Sequence, residues 1–166
     1  MRLSSLADYA VVLMTAAAGH CGARGLIDGP KARQNARQLS EETGIKLPTA
    51  QKLLQALARA DLIETVRGAG GGIRLARPPA TITLAQIVEA VDGPIAITNC
   101  IETRGHVCAI EQGCSVKPHW FVVNNAIRDA LDAVSLADLT RKPAAQMPLD
   151  STMKTQNNAP NMMEEA

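Results

Sequence analysis

Aromatic residues are nearly absent: Tyr9, Trp120 and Phe121 are the only three in 166 residues. Surfaces that stack several bases on rings, as RNA-recognition modules do, are thereby disfavoured. Long apolar runs are missing too. The longest, near residues 9–18, falls short of the roughly 20 residues a membrane span needs. Arg2 is followed by Ser4, Ser5 and Asp8, where a secretory signal would continue apolar, so a cytoplasmic protein with no membrane partner is expected. There is no G-x-x-x-x-G-K-[ST] motif, and the glycine run at 68–72 fails the G-x-G-x-x-G register, which argues against nucleotide binding.

Hydrophobic residues make up 46% of the chain, enough to exclude wholesale disorder; the length suits one compact domain with an appendage, or two very small ones. The net charge of +1 hides an asymmetry: residues 1–77 carry a net +5 and residues 78–166 a net −4. A basic first half with an acidic remainder suggests that only the first half faces a polyanion, although scattered solvated charge would give the same sums.

Leu6, Tyr9, Ala10, Leu13 and Ala17 form one apolar stripe of a helix from Ser4 to about Gly19, with Ser4 or Ser5 as N-cap. A loop from His20 to about Asn35 follows. Ala36, Leu39 and Ser40 begin a short helix that Gly44 stops, and Pro48 opens the next one after a three-residue connection. That helix buries Ala50, Leu53, Leu54, Leu57 and Ala58. Its other face offers Thr49, Gln51, Lys52, Gln55 and Arg59, all donors able to reach phosphates or base edges, with Lys46 just ahead. This is a helix-turn-helix pattern, or else an ordinary helical hairpin.

The next residues narrow the choice. Leu62–Val66 and Ile73–Ala76 flank a glycine-rich tip, a β-hairpin placed where a winged helix carries its wing. Arg67 and Arg74 flank that tip, in reach of a minor groove or its phosphates. Thr83 caps a helix ending at Asp92, and Gly93-Pro94 terminates it. A long helix from about Lys117 carries Trp120, Val123, Ile127, Ala130 and Val134 at heptad spacing, widened by Leu131. The pattern predicts a symmetric dimer through this helix, with packing on the winged domain as the alternative. Beyond Arg141 periodicity ends, and 142–166 reads as a disordered tail.

Cys100, Cys108 and Cys114 lie at C-x7-C-x5-C in one irregular segment, whereas Cys21 sits alone. In a cytoplasmic protein such a cluster points to metal or redox chemistry rather than a structural disulfide. Zinc knuckles favour C-x(2–4)-C pairs, which are absent; wider single spacings suit an iron–sulfur cluster. A structural zinc site and a cysteine-nucleophile enzyme remain alternatives, the latter without a His/Asp partner or cofactor motif to support it.

The segments MRLSSLADYAVVLM, GIKLPTAQKLLQALARADLI, VRGAGGGIRLARPP and ITLAQIVEAVDGPI, with the three-cysteine segment, resemble the Rrf-type iron–sulfur-dependent transcriptional regulators over about residues 1–140. The resemblance implies a mainly α fold with a small β wing, that is, a winged helix-turn-helix plus a long C-terminal dimerisation helix. It divides the chain into a DNA-binding domain (1–80), a connecting helix (81–94), a cluster loop (95–118), a dimerisation helix (119–141) and a tail (142–166). It further implies no enzymatic activity, a homodimer on a palindromic double-stranded operator, and a [4Fe–4S] or [2Fe–2S] cluster on Cys100, Cys108 and Cys114. It also implies repression, of iron–sulfur assembly (SUF) or iron-uptake genes, since the x7/x5 spacing resembles that of the iron-responsive and SUF-system members; nitric oxide sensing is the alternative within the family. The fourth ligand departs from the pattern. Where IscR-like members place a histidine stands Lys117, with His119 two residues on; Asp8 matches the partner-subunit aspartate of NsrR-like members, and His106 is a lesser candidate.

Overall fold

The computed structural model describes residues 3–20, 34–66, 72–98, 101 and 113–141. Helix α1 (Ser5–Gly19) is the axis of the fold, with α2, α3, α4, α6 and the second wing strand all packed on it. Ser4 is its N-cap: the hydroxyl accepts from the Ala7 N–H at 3.0 Å and donates to Asp92 at 2.7 Å. Its inward face is made of Ala7, Ala10, Leu13, Met14, Ala17 and Ala18. Tyr9, expected on the buried stripe, is instead exposed. The alanines let neighbouring helices approach closely, and a ring at the edge of that stripe has no room beneath it.

Helix α2 (Ala36–Thr43) opens on a capping box between Asn35 and Gln38 and ends at Gly44, whose φ of 72° is the left-handed geometry that glycine adopts without strain. Helix α3 (Leu47–Arg59) follows with Pro48 in its first turn, and buries Ala50, Leu53, Leu54 and Leu57. Strands β1 (Ile63–Val66) and β2 (Gly72–Leu75) pair antiparallel in the register Ile63↔Leu75 and Thr65↔Ile73. Gln34 adds a bridge on the outer edge of β2, exchanging both backbone hydrogen bonds with Ile73 (2.7 and 3.2 Å).

A 3-10 turn at Pro79–Thr81, unmarked by periodicity, leads into α4 (Leu84–Asp92), capped by Thr83 as the sequence predicts. Helix α5 (Lys117–Asp132) is shorter than the 119–141 segment suggests: a turn at 133–135 separates it from α6 (Leu136–Thr140). Ser135 and Asp138 form the capping box that starts α6. Leu136 is fully buried in the main core beside Leu13, Leu39, Leu53 and Leu57.

The residues of the expected heptad seam divide between two faces of α5. Ile127 and Leu131 pack inward on a second cluster of Ala7, Ala85, Val88 and Ile95. Asn124 is buried with them, and Val134 lies in the turn, where its carbonyl accepts from the Leu84 N–H at 2.8 Å. The inward row is therefore Trp120, Asn124, Ile127 and Leu131, while Phe121, Val122 and Val123 face outward. Packing against α4 within the chain, rather than a strict heptad, sets that face.

Candidate nucleic-acid interface and metal ligands

The α2–α3 turn is held by side chains. Ser40 donates to the Ile45 carbonyl and Thr43 to that of Leu39, both at 2.6 Å, and the Ile45 N–H donates back to Thr43. These bonds fix the angle at which α3 leaves the turn. The start of α3 has no side-chain cap and no acidic residue in its first turn. Its free N–H groups and positive dipole end suit a phosphate, with Lys46 exposed alongside.

Gln51, Lys52, Gln55 and Arg59 are exposed on α3, as predicted, and Thr49 is half-buried. Between α3 and the wing lies a groove of about 560 Å³, rimmed by Gln51, Gln55, Arg59 and Thr65 over a floor of Leu54 and Ile73. Donors of the recognition helix and the wing therefore border one concavity. Arg74 sits differently from a free tip residue: its guanidinium grips Glu64 directly across the hairpin, at 2.6 and 2.8 Å. That pair braces the wing and offsets the Arg74 charge. Arg67 lies outside the described residues.

Of the proposed ligands, Cys114 is a half-buried free thiol three residues before α5. Asp8 is exposed in the first turn of α1, and His119 is exposed in the first turn of α5. Cys21, Cys100, His106 and Cys108 lie outside the described residues, as does the 142–166 tail. Among the described residues no three His, Cys, Asp or Glu side chains converge. The described donor fits thiolate ligation, being unpaired and partly sheltered from solvent.

Asn124 is a buried polar residue that the heptad spacing of α5 does not mark. Its Nδ2 donates to the Ile95 carbonyl at 2.9 Å, and its Oδ1 accepts from the Ile97 N–H at 3.1 Å. The signal was available: a lone amide in the apolar 4-3-4 row of Trp120, Ile127 and Leu131.

A helix-turn-helix followed by a two-stranded wing, with exposed donors on the second helix, defines a winged-helix DNA-binding protein. Residues 3–142 match the family model "Rrf2: Iron-dependent Transcriptional regulator". The regulator IscR of Aliivibrio salmonicida is 32% identical over 139 residues, covering 84% of this chain and 77% of its own. The regulator NsrR of Bacillus subtilis is 29% identical over 145 residues, with coverages of 85% and 91%. The crystal structure of oxidised Staphylococcus aureus CymR superposes with a TM-score of 0.60 at 26% identity, covering 86% of this chain and 98% of that one. The chain belongs to the Rrf2 family of helix-turn-helix transcriptional regulators. No helix among the described residues is long and apolar enough to cross a membrane.

Proposed function

We propose that this chain is a cytoplasmic iron–sulfur-dependent repressor that binds a palindromic operator as a homodimer and governs iron–sulfur assembly (SUF) or iron-uptake genes. One observation carries the reading. The C-x7-C-x5-C cysteines occur in a chain of a family described as iron-dependent, and Cys114 is a free, half-buried thiol at the foot of α5. Cys100, Cys108 and Cys114 would hold the group, with Asp8 of the partner subunit or His119 as fourth donor. A [4Fe–4S] or [2Fe–2S] cluster, when bound, supplies iron–thiolate bonds sensitive to oxidants and to iron supply.

The chain's own residues connect that segment to DNA. Cys114 leads into α5, and α5 is tied to α4 by the Arg128–Glu89 ion pair at 3.0 Å. Helix α4 packs on α3, which carries Thr49, Gln51, Lys52, Gln55 and Arg59 toward the groove, while Lys46 and the wing arginines Arg67 and Arg74 serve the backbone. Phe121, Val122 and Val123 leave exposed apolar surface near the start of α5 for a second copy, with Val123 on the heptad seam. Half-sites lie about one DNA turn apart, so a shift of a few ångströms between two α3 helices changes affinity.

A second reading, nitric oxide sensing, is favoured by the exposed carboxylate of Asp8 and by the similarity to NsrR. Anaerobic absorption with iron and sulfide quantification, followed by operator binding with and without cluster and after nitric oxide, tests both. A colourless, iron-free anaerobic preparation defeats both readings; a cluster indifferent to nitric oxide leaves the first.

A further inference from the structure

Asn124 is one of two buried polar residues among those described, and it spends both ends of its amide on the backbone of a segment 29 and 27 residues earlier in the chain. Residues 95–97 have no regular secondary structure, so their backbone groups are left for such a partner. The amide donates to the Ile95 carbonyl and accepts from the Ile97 N–H, as a neighbouring strand would. The Ile95 side chain is buried against α4 and α1, which leaves the segment no freedom to slide at that end. Three residues after Ile97 comes Cys100; three residues after Cys114 comes α5. The two ends of the cysteine segment are thus referred to the same helix, one by covalent continuity and the other through one side chain.

We infer that Asn124 is a positioning residue for the cysteine segment: it fixes residues 95–97, the stretch that leads toward Cys100 in the sequence, against α5, the helix that Cys114 leads into. The inference rests on the ligand reading proposed above. A leucine in its place would fill the same space between α4 and α5 without the two bonds, so packing alone does not call for an amide here. An unpaired amide so deeply buried would be costly, and the two bonds that satisfy it are directional, which is what holding a register requires.

Full-length wild type, Asn124→Ala and Leu131→Ala proteins are reconstituted anaerobically with iron and sulfide, and iron release to a chelator is timed. Amide hydrogen exchange over residues 95–98 is followed in the cluster-free proteins. Leu131→Ala removes packing from the same helix face without touching either bond, and so reports what mere destabilisation does. Asn124→Ala should lose iron at least about tenfold faster, the scale seen when residues that orient metal ligands are removed. It should also exchange the Ile97 amide faster, whereas Leu131→Ala lowers the melting temperature and leaves both rates near wild type. Iron uptake by wild type with unchanged release from Asn124→Ala, or equal acceleration in Leu131→Ala, overturns the inference alone. A wild-type chain that takes up no iron overturns the ligand reading and this inference with it.

Discussion

The Thr83 hydroxyl donates to Asp132 at 2.7 Å while accepting from the Gln86 N–H, so one oxygen both caps α4 and ties it to the end of α5. Gln86 returns a bond to the Thr83 N–H and also accepts from Arg77, at the base of the wing. Removing the hydroxyl therefore severs a cap and a tether together. Thr83→Ala should cost about 1–2 kcal/mol, the upper part of the range for a lost N-cap. Thr83→Ser should restore most of it. Denaturant unfolding of the two variants beside Asp132→Ala separates cap from tether.

On α3, Lys52 and Gln51 are exposed near the start of the helix and should behave differently. Lys52→Ala should weaken binding almost evenly across DNA sequences and lower the salt slope by about 1, as expected of a phosphate contact. Gln51→Ala should relax preference at one base position, at a cost of about 1–3 kcal/mol. Titrations against an operator library at several salt concentrations read both effects. Unchanged affinity in both variants would place the DNA on another face.

Among the cysteines, Cys100→Ala, Cys108→Ala and Cys114→Ala should each abolish stable iron retention, and Cys21→Ala should not. Asp8→Ala should leave folding intact, because an exposed first-turn carboxylate is worth only about 0.3–1 kcal/mol through the helix dipole. It should nevertheless change the spectrum or the oxygen lifetime of the cluster, since a hard oxygen ligand holds iron less firmly than thiolate. Iron analysis and anaerobic spectroscopy decide. If Asp8→Ala matches wild type throughout, His119 becomes the leading fourth donor.

The Asp138 carboxyl is held below its ordinary range by the Ser135 hydroxyl and then by the Ser135 N–H, both donating to it. A depressed folded-state value means that the charged form stabilises α6 above the unfolded value, and that this contribution is lost as the pH falls. Wild type should lose melting temperature below about pH 4 relative to Asp138→Asn, which lacks that titration. Parallel curves for the two proteins would show that α6 does not depend on this charge.

The winged half was legible because its signals are local. Gly44 stops one helix, Pro48 starts the next, and the glycine run separates two alternating strands. The far end was harder to read because its determinants are long-range. The inward face of α5 depends on α4, a partner that periodicity does not reveal, so the heptad spacing of Val123, Ile127 and Ala130 does not show that Asn124 joins Ile127 and Leu131 on the buried side. The α6 start was present in the sequence as Ser135-x-x-Asp138, but five residues make too short a helix for a periodic signal to mark. On the metal side, residue type and spacing marked the cysteines, and the family resemblance marked Asp8 and His119; of these candidates Cys114, Asp8 and His119 lie among the described residues.

Leu136 belongs to the same buried cluster as Leu13, although α5 and the whole cysteine-bearing stretch lie between them in the chain. Ile82 and Leu84 grip the returning segment through two backbone bonds of 2.8 Å, to Leu136 and Val134. During synthesis, the DNA-reading unit therefore stays open on one side until residue 136 has left the ribosome. A fragment stopped at residue 80 would lack Leu136 and also Ile82 and Ile87 of the same cluster, whereas emptying one such site by Leu→Ala alone costs about 2–5 kcal/mol. The chain thus leaves this core after Ile87 and is bonded back to it at Leu136, with the cysteine-bearing stretch between the two points in sequence.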